Sequence, residues 1–334
     1  MLLNAVDIEP EPVNWLWTNG LQLGVLNLLA GRSAGGKSTI AVSWSTTVTS
    51  GGQWPDGQAC EPARAVYWSG EDGIKDTLLP RFIAAGGERS NMSFIEGVRT
   101  GERKRPFNPA VDMPKLARAV EKLGDVRMIT IDPIAVVVNG DSHKNVETRI
   151  GLQPFADLCA THGACGLGVH HFTKNTAGGD PLDRISGSLA FGALPRCGWV
   201  AAKDLNAAVG ARRVLVRVKM SNGPDWGGFD YQLDRRELDG WPGIEAQRVL
   251  WGNAIEGTAK ELLAQLESKP EAGNEAAAFL LAALKDGPQM AAEIIANGKA
   301  QGLSEWALRR ALKKLGGFKE KASFKGAWIW ELQQ

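Results

Sequence analysis

The feature that most constrains this chain is a glycine-rich loop between an apolar segment and a helical one. Residues 31–39 read GRSAGGKST and fit the pattern G-x4-G-K-[S/T]. The apolar residues 23–30 before it predict a buried strand, and the segment from Lys37 to about Thr49 predicts a helix. Glycines let successive backbone N–H groups point at one phosphate, and the helix N-terminus adds partial positive charge. We therefore expect a nucleoside triphosphate to bind here.

Each residue type in this loop suits a triphosphate. Lys37 is expected to reach the β- and γ-phosphates, and Ser38 is expected to offer its hydroxyl to Mg²⁺. The residues expected to contact the nucleotide are Gly31, Ser33, Ala34, Gly35, Gly36, Lys37, Ser38 and Thr39. The alternative is a chance glycine-rich turn, and the strand and helix predicted on its two sides argue against it.

Two further apolar segments end in acidic residues. Asp132 follows Ile131 at the end of a predicted strand, where ligands bind in open α/β sheets and where an aspartate can hold Mg²⁺. On its own such an aspartate is more often a cap or turn residue. Glu71 and Asp72 follow the apolar residues 65–69. Glu71 is placed either to polarise the attacking water or, with Asp72, to cap the next helix, and the residues alone leave both roles open.

The order of predicted elements indicates the fold class. Strands alternate with helices of roughly 10–15 residues as far as residue 169, which is typical of a parallel sheet covered on both faces. After residue 197, strand-like segments joined by short polar links predict an antiparallel extension. We expect an α/β core with a mainly parallel sheet in residues 1–240, a linker in 241–273 and a small domain in 274–334.

Charge is unevenly distributed along the chain. The 334 residues carry 38 Lys and Arg against 37 Asp and Glu, but the segment from 299 to 334 has eight basic and three acidic residues. Three short predicted helices and a terminal strand give the small domain a layout that resembles a winged helix-turn-helix. Helix 304–315 would then lie in a major groove, with Arg309, Arg310 and Lys313 neutralising phosphates. The alternative is a basic face on a protein-binding module.

Cysteine usage and the first residues bear on the compartment. The four cysteines form neither a CxxC pair nor a zinc-ligand spacing, which is typical of reduced packing residues in a cytosolic protein. The acidic start lacks a signal-peptide pattern, and no apolar run reaches the roughly 18 residues of a membrane span. The sequence therefore predicts a cytoplasmic protein without a membrane partner.

Several motifs, taken in order, resemble the RepA-like hexameric helicase and ATPase family, a RecA-type P-loop group of plasmids, phages and integrated elements. The segments that carry the resemblance, all between residues 12 and 233, are PVNWLW, GRSAGGKST, YWSGEDG, PRFIAAGG, ITIDPIAVV, GVHHFTK and RISGSLAFGALPR. The resemblance implies a RecA-like core, a homo-hexamer with ATP and Mg²⁺ between subunits, and DNA as a partner. It also favours Glu71 as the catalytic glutamate.

The resemblance assigns three further roles. His170 or His171, with His171 preferred, matches a residue that senses the γ-phosphate, although two polar residues at a strand end are the alternative. Arg196 matches an arginine supplied to the neighbouring subunit's ATP. Lys219 lies in VKMSNGP, which resembles the K-x-R-N-G segment of replicative helicases. Because Ser221 stands where the second basic residue is expected, more of this role falls to Arg196.

In RecA-type rings two loops face the central channel. By resemblance these are residues 138–147, with Lys144, and 172–187, with Lys174 and Arg184. The expected function is an ATP-hydrolysing, ring-forming helicase or translocase on single-stranded DNA that serves replication of a mobile element. A DNA-binding regulator or loader that uses ATP as an assembly switch and binds duplex DNA through its C-terminal domain is the second hypothesis. A nucleotide-binding protein without a DNA role is the third.

Overall fold

The computed structural model describes residues 2–173, 179–185, 187–204, 212–267, 272–285, 287–321 and 328–332. The chain divides into two compact units, Met1–Gln265 and Leu266–Gln334. Among the described residues, no helix is both long enough and apolar enough to cross a membrane.

The first unit is built on a nine-stranded sheet. The strands of this unit are β1 (Trp15–Trp17), β2 (Leu21–Gln22), β3 (Leu26–Gly31), β4 (Arg64–Ser69), β5 (Met92–Phe94), β6 (Val98–Thr100), β7 (Arg103–Arg105), β8 (Val126–Asp132), β9 (Cys165–Val169), β10 (Cys197–Lys203), β11 (Arg213–Met220), β12 (Gly228–Leu238) and β13 (Trp241–Ile255). Strands β1 and β2 pair outside the large sheet, as do β6 and β7.

The large sheet has the order β13-β12-β11-β10-β3-β9-β8-β4-β5. The six strands from β10 to β5 in that order are parallel to one another. Strands β10, β11, β12 and β13 pair antiparallel. The predicted α/β class with a mainly parallel sheet is confirmed, and the antiparallel extension lies where the sequence predicts it.

Helices cover both faces of this sheet. Those of the first unit are α1 (Lys37–Ser50), α2 (Leu79–Ala84), α3 (Pro109–Leu123), α4 (Asn145–His162), α5 (Ala190–Ala193) and α6 (Ala259–Glu267), and a π-helical turn at Ile74–Leu78 leads into α2. On one face Trp44 of α1 packs in one buried cluster with Tyr67 and Leu167 of the sheet. On the other face Phe155 of α4 lies close to Gly166. Because α1 is buried along most of its length, its sequence shows no polar stripe.

A stack of indole rings lies at the centre of the first core. Trp17 is sandwiched between Trp54 and Trp199, with ring centroids 5.2 and 5.1 Å away and nearly parallel planes. Trp44 meets Trp17 edge-on at 6.1 Å. Since Trp17 belongs to β1 and Trp199 to β10, the stack fastens the start of the domain to the middle of the large sheet.

Strands β12 and β13 form a long hairpin at one edge of the sheet. Its far end reaches α2, where Leu238 and Ala246 pack against Ala84. The structure therefore corrects the predicted linker at 241–273, because residues 241–255 form β13. Of these residues only Ala246 and Val249 are buried, so the alternation of apolar residues that identifies a strand is absent.

The described residues of the second unit form three helices and a small antiparallel sheet. Its elements are α7 (Ala272–Ala283), β14 (Gln289–Met290), α8 (Ala291–Ala300), α9 (Glu305–Lys314), β15 (Phe318–Lys321) and β16 (Trp328–Glu331), with the strand order β14-β16-β15. Leu280, Ile294, Leu308 and Trp330 meet in its core. Ser304 caps α9 by accepting a hydrogen bond from the backbone N–H of Ala307 at 3.2 Å. The winged-helix assignment stays a prediction.

Candidate nucleotide-binding site

The glycine-rich loop connects β3 to α1 and is tightly enclosed. Gly31 has φ 146° and Gly36 has φ 90°, and Gly36 is the N-cap residue of α1. A Cβ atom at Gly31 would lie 2.2 Å from the carbonyl oxygen of Ala201 on β10, and one at Gly36 would lie 3.0 Å from Leu233. Both positions therefore require glycine, and the loop can curl with its N–H groups at the start of α1.

Lys37 is the first residue of α1 and its side chain is 5% exposed. Its ammonium group donates a hydrogen bond to the carbonyl oxygen of Arg32 at 3.0 Å. Burial lowers the pKa of Lys37 to about 8, although the negative charges of Asp132 and Glu71 oppose that shift. A cation enclosed by a loop of this shape is suited to a phosphate group.

Ser38 and Asp132 meet below the loop. Asp132 ends β8, is 3% exposed, and accepts hydrogen bonds from the Ser38 hydroxyl and from the Tyr67 hydroxyl, the latter at 3.0 Å. Burial raises the pKa of Asp132, and these two hydrogen bonds oppose the rise. Tyr67 escaped the sequence analysis because a tyrosine inside an apolar strand looks like an ordinary core residue.

A hydroxyl beside a carboxylate is the donor set that Mg²⁺ takes from a protein when phosphate oxygens and waters complete its shell. In the part of the chain that the structure describes, no three His, Cys, Asp or Glu side chains cluster as a self-sufficient metal site. Ser38 and Asp132 therefore fit a Mg²⁺ ion that arrives with a nucleotide.

Glu71 and His171 flank the loop at the ends of β4 and β9. Glu71 is 63% exposed, and its Oε1 lies 3.9 Å from Nε2 of His171. Burial and then the charge of Lys37 lower the pKa of His171, while the charge of Glu71 opposes them. The backbone N–H groups of Glu71 and Asp72 donate to the Ser69 hydroxyl at 3.2 and 2.9 Å, which fixes the turn after β4.

The two adjacent histidines have different surroundings. His170 is buried and its ring lies 4.3 Å from the ring of Phe191. His171 lines the cleft above the loop. Of the two, His171 is therefore the one positioned to face a phosphate.

These groups share one cleft of about 420 Å³, a volume within the range of about 300–1,000 Å³ that is usual for ligand sites. Its walls include residues that the sequence analysis missed, namely Arg81, Arg213, Leu233 and Gln247. A cleft of about 470 Å³ beside Trp15 and Arg127 is larger, but none of the loop residues lines it. The chemistry of the lining, rather than the volume, identifies the site.

The hairpin β12–β13 forms the outer wall of the cleft. The hydroxyl of Tyr231, a buried residue of β12, donates a hydrogen bond to the carbonyl oxygen of Gly35 at 2.5 Å. Leu233, two residues further on, lies over Gly36. No local sequence signal could reveal this contact, because almost 200 residues separate Tyr231 from the loop.

Arg196 and Lys219 lie at the opposite edge of the sheet. Arg196 is exposed just before β10, and its backbone N–H donates to the carbonyl oxygen of Leu26 at the start of β3. The Lys219 ammonium donates to the carbonyl oxygens of Gly192 and Ala193 at 3.0 and 2.5 Å. Burial and then the charge of Arg196 lower the pKa of Lys219. The structure does not bring either cation to the loop of its own chain.

The predicted channel loops have mixed outcomes. Lys144 is exposed and pairs with Glu147 at 2.9 Å. Arg184 was predicted to contact DNA, but the structure contradicts this, because its side chain is 2% exposed and its guanidinium lies 4.5 Å from the centre of the Phe172 ring. Lys174 lies outside the described residues.

In the second unit, α9 turns Ala307, Leu308, Ala311 and Leu312 into the core. The opposite side carries Trp306, which is 68% exposed, and the exposed Arg309 and Lys313. Arg309 forms an ion pair with Glu305 at 2.6 Å. The side chain of Arg310 lies outside the described part of the chain.

Comparison with known proteins adds three findings. The AAA domain family matches residues 2–177, just over half of the chain. A KaiC-like protein from the archaeon Pyrococcus horikoshii is similar in structure, with a TM-score of 0.46 and 14% identity over 71% of this chain and 99% of that one. No curated protein matches the sequence. The family match includes the loop, Glu71, Asp132 and His171, and it ends before Arg196.

Proposed function

The chain belongs to the AAA domain family and has the phosphate-binding loop of an ATPase; on this premise we propose that it is a ring-forming DNA helicase or translocase. The observation that carries the proposal is the separation of its charged groups. Lys37, Glu71 and His171 line one cleft at the carboxyl edge of the sheet, with Asp132 buried close to Lys37. Arg196, in contrast, lies exposed at the amino edge. If the cleft of one copy faces Arg196 of another, the two copies together form a site that contains both the cleft and this arginine.

Binding of ATP would use the loop and its lysine. The N–H groups at the start of α1 and the Lys37 ammonium supply positive charge to the phosphates. Ser38 and Asp132 would hold Mg²⁺, which when bound neutralises charge on the phosphate oxygens. The Lys37 ammonium donates to a backbone carbonyl oxygen and, among the described residues, forms no ion pair with a carboxylate. A phosphate can therefore accept this hydrogen bond without displacing a carboxylate.

Hydrolysis needs a base and a sensor beside the terminal phosphate. Glu71 is exposed to solvent at the cleft, so its carboxylate can accept a hydrogen bond from the attacking water and orient it. His171, whose pKa is lowered, is neutral near pH 7 and can donate one N–H to a phosphate oxygen. Its 3.9 Å distance from Glu71 links the state of the phosphate to the position of the base.

A ring provides what one subunit lacks. In a heterologous, head-to-tail interface the same two surfaces repeat around the assembly, so each cleft meets the neighbour's Arg196. Lys219 lies beside Arg196 and would support it. We therefore propose a homo-hexamer of the RepA-like type, with single-stranded DNA in the channel and Lys144 among its contacts, that serves replication of a mobile element.

One observation favours a second candidate. The outer side of α9 combines an exposed Trp306 with Arg309 and Lys313, a combination suited to the groove and phosphates of duplex DNA. A regulator or loader that binds a duplex site and uses ATP to assemble would use this face and need no unwinding activity.

The test is an ATPase assay with and without single-stranded DNA, combined with measurement of the particle mass. The helicase or translocase proposal expects a hexamer whose turnover rises with single-stranded DNA, and Lys37→Ala should abolish nucleotide binding and turnover. Lys75→Ala is the matched control and should behave as wild type, because it changes an exposed lysine in the π-helical turn that follows β4. An ATP turnover rate that does not change with single-stranded DNA, together with salt-dependent binding of duplex DNA, would favour the regulator.

A further inference from the structure

A second, smaller cleft adjoins the phosphate cleft. It has a volume of about 210 Å³ and lies between Thr77, Pro80 and Arg81 on one side and Glu245 and Gln247 of β13 on the other. Arg81 and Gln247 also line the phosphate cleft, so the two clefts lie side by side. A nucleotide whose phosphates occupy the loop can therefore place its nucleoside at this side of the site.

Arg81 supplies a fixed planar surface at the junction. Its guanidinium forms an ion pair with Asp72 at 2.6 Å, and both side chains are largely shielded from solvent. A guanidinium held in this way can stack on an aromatic ring. Pro80 beside it adds an apolar surface of the kind on which a nucleobase packs.

Gln247 supplies unused hydrogen-bonding groups. Within the described ranges its side-chain amide has no hydrogen-bond partner, whereas the neighbouring Glu245 is paired with Arg235 at 2.6 Å. A glutamine amide offers both a donor and an acceptor, and this pattern matches the N7 and N6 groups of adenine. Guanine presents two acceptors at the corresponding edge, N7 and O6, and is matched by arginine or lysine instead.

We propose that the smaller cleft is the base subsite, in which Arg81 stacks on the nucleobase and Gln247 selects adenine. This proposal rests on the proposed function, because it requires that the loop hold the phosphates of a nucleotide. It makes the β12–β13 hairpin, which lies outside the family match to residues 2–177, the element that sets nucleotide specificity.

The experiment separates the base from the phosphates. Binding of ATP, GTP and inorganic tripolyphosphate, each with Mg²⁺, is measured by calorimetry on the full chain. Gln247→Ala should weaken ATP binding about fivefold or more, the lower limit expected for losing a bidentate amide–adenine pair, and leave GTP and tripolyphosphate unchanged. Arg81→Lys keeps a positive charge beside Asp72 but removes the planar guanidinium. It should weaken binding of both ATP and GTP and leave binding of tripolyphosphate unchanged. Asn253→Ala removes an exposed amide further along β13 and is the control.

The outcomes distinguish the two proposals. If Gln247→Ala leaves ATP binding unchanged, or weakens tripolyphosphate as much as ATP, the base subsite is wrong while the nucleotide site stands. If the wild-type chain binds neither ATP nor tripolyphosphate, the proposed function fails and the base subsite fails with it. Equal affinity of the wild type for ATP and GTP overturns the assignment of Gln247 to adenine.

Discussion

The two edges of the parallel sheet differ in how their charged groups are arranged. At the carboxyl edge, basic and acidic side chains lie together: Lys37 near Asp132, and His171 near Glu71. At the amino edge two cations, Arg196 and Lys219, lie together. The Lys219 ammonium donates to backbone carbonyl oxygens, and among the described residues neither cation forms an ion pair with a carboxylate. The first arrangement can bind a ligand within one subunit, whereas the second has excess positive charge that suits an anionic partner.

Under the proposed ring, this difference assigns separate roles to the two edges. At the carboxyl edge, the guanidinium of Arg81 forms an ion pair with Asp72. Under the proposed ring, the exposed Arg196 is the cation that one subunit offers to its neighbour, and substitutions at the two edges should have different effects.

The largest expected effect comes from Arg196→Ala. Turnover should fall on the order of 10³–10⁵-fold, the range measured for arginine fingers, while ATP binding by the isolated subunit stays unchanged. Steady-state hydrolysis and calorimetric binding on the same preparation check both parts. The exposed Arg32 belongs to the loop and is not a suitable control, so Arg89→Ala, on the surface after α2, serves that purpose.

Mixing variants sharpens this result. Arg196→Ala and Glu71→Gln are each inactive alone under the proposal, but a mixed ring contains interfaces with an intact Glu71 on one side and an intact Arg196 on the other. With random assembly, roughly a quarter of interfaces would be complete. Absence of any recovered turnover in a mixture that is shown to co-assemble would contradict a shared site.

A smaller effect is expected from pH, and it concerns only the carboxyl edge. The pKa of Lys37 is lowered to about 8, so below that pH the ammonium is fully available to a phosphate. As the pH rises above 8, Lys37 loses its proton in the protein without nucleotide, and nucleotide binding must then be accompanied by protonation of Lys37. ATP affinity should therefore fall about tenfold between pH 7 and pH 9. Lys75→Ala should show the same pH profile, and a flat profile in the wild type would contradict the burial of this charge.

The smallest expected effects concern the two tyrosines of the chain, which contact different parts of the same edge. Tyr231→Phe removes the hydrogen bond to Gly35 and should weaken nucleotide binding about fivefold, with or without Mg²⁺. Tyr67→Phe removes the bond to Asp132 and should instead change the Mg²⁺ concentration needed for half-maximal turnover. If both variants change the same quantity, the separate roles assigned to the tyrosines are wrong.

The sequence predicted well what depends on neighbours along the chain. The loop, the strand before it and the helix after it form one continuous motif, and Asp132 and Glu71 each end an apolar run. Tyr231, Leu233 and Gln247 could not be found in this way, because they reach the site through strand pairing across about 200 residues. Arg184 was predicted to contact DNA because a basic residue in a polar loop is expected to be exposed. In the structure its guanidinium packs on Phe172. The second strand of the hairpin, β13, was predicted to be part of a linker because most of its residues are exposed to solvent.

The indole stack of Trp17, Trp54 and Trp199 also determines what optical measurements on this protein will report. Parallel rings about 5 Å apart in a rigid, chiral core give strong near-ultraviolet circular dichroism, which disappears when specific packing is lost even if helices remain. This signal therefore follows the integrity of the ATPase core and can be read separately from backbone signals of both units. Trp68, which is largely buried one residue before the turn that carries Glu71, is in the right position to respond to ligands instead.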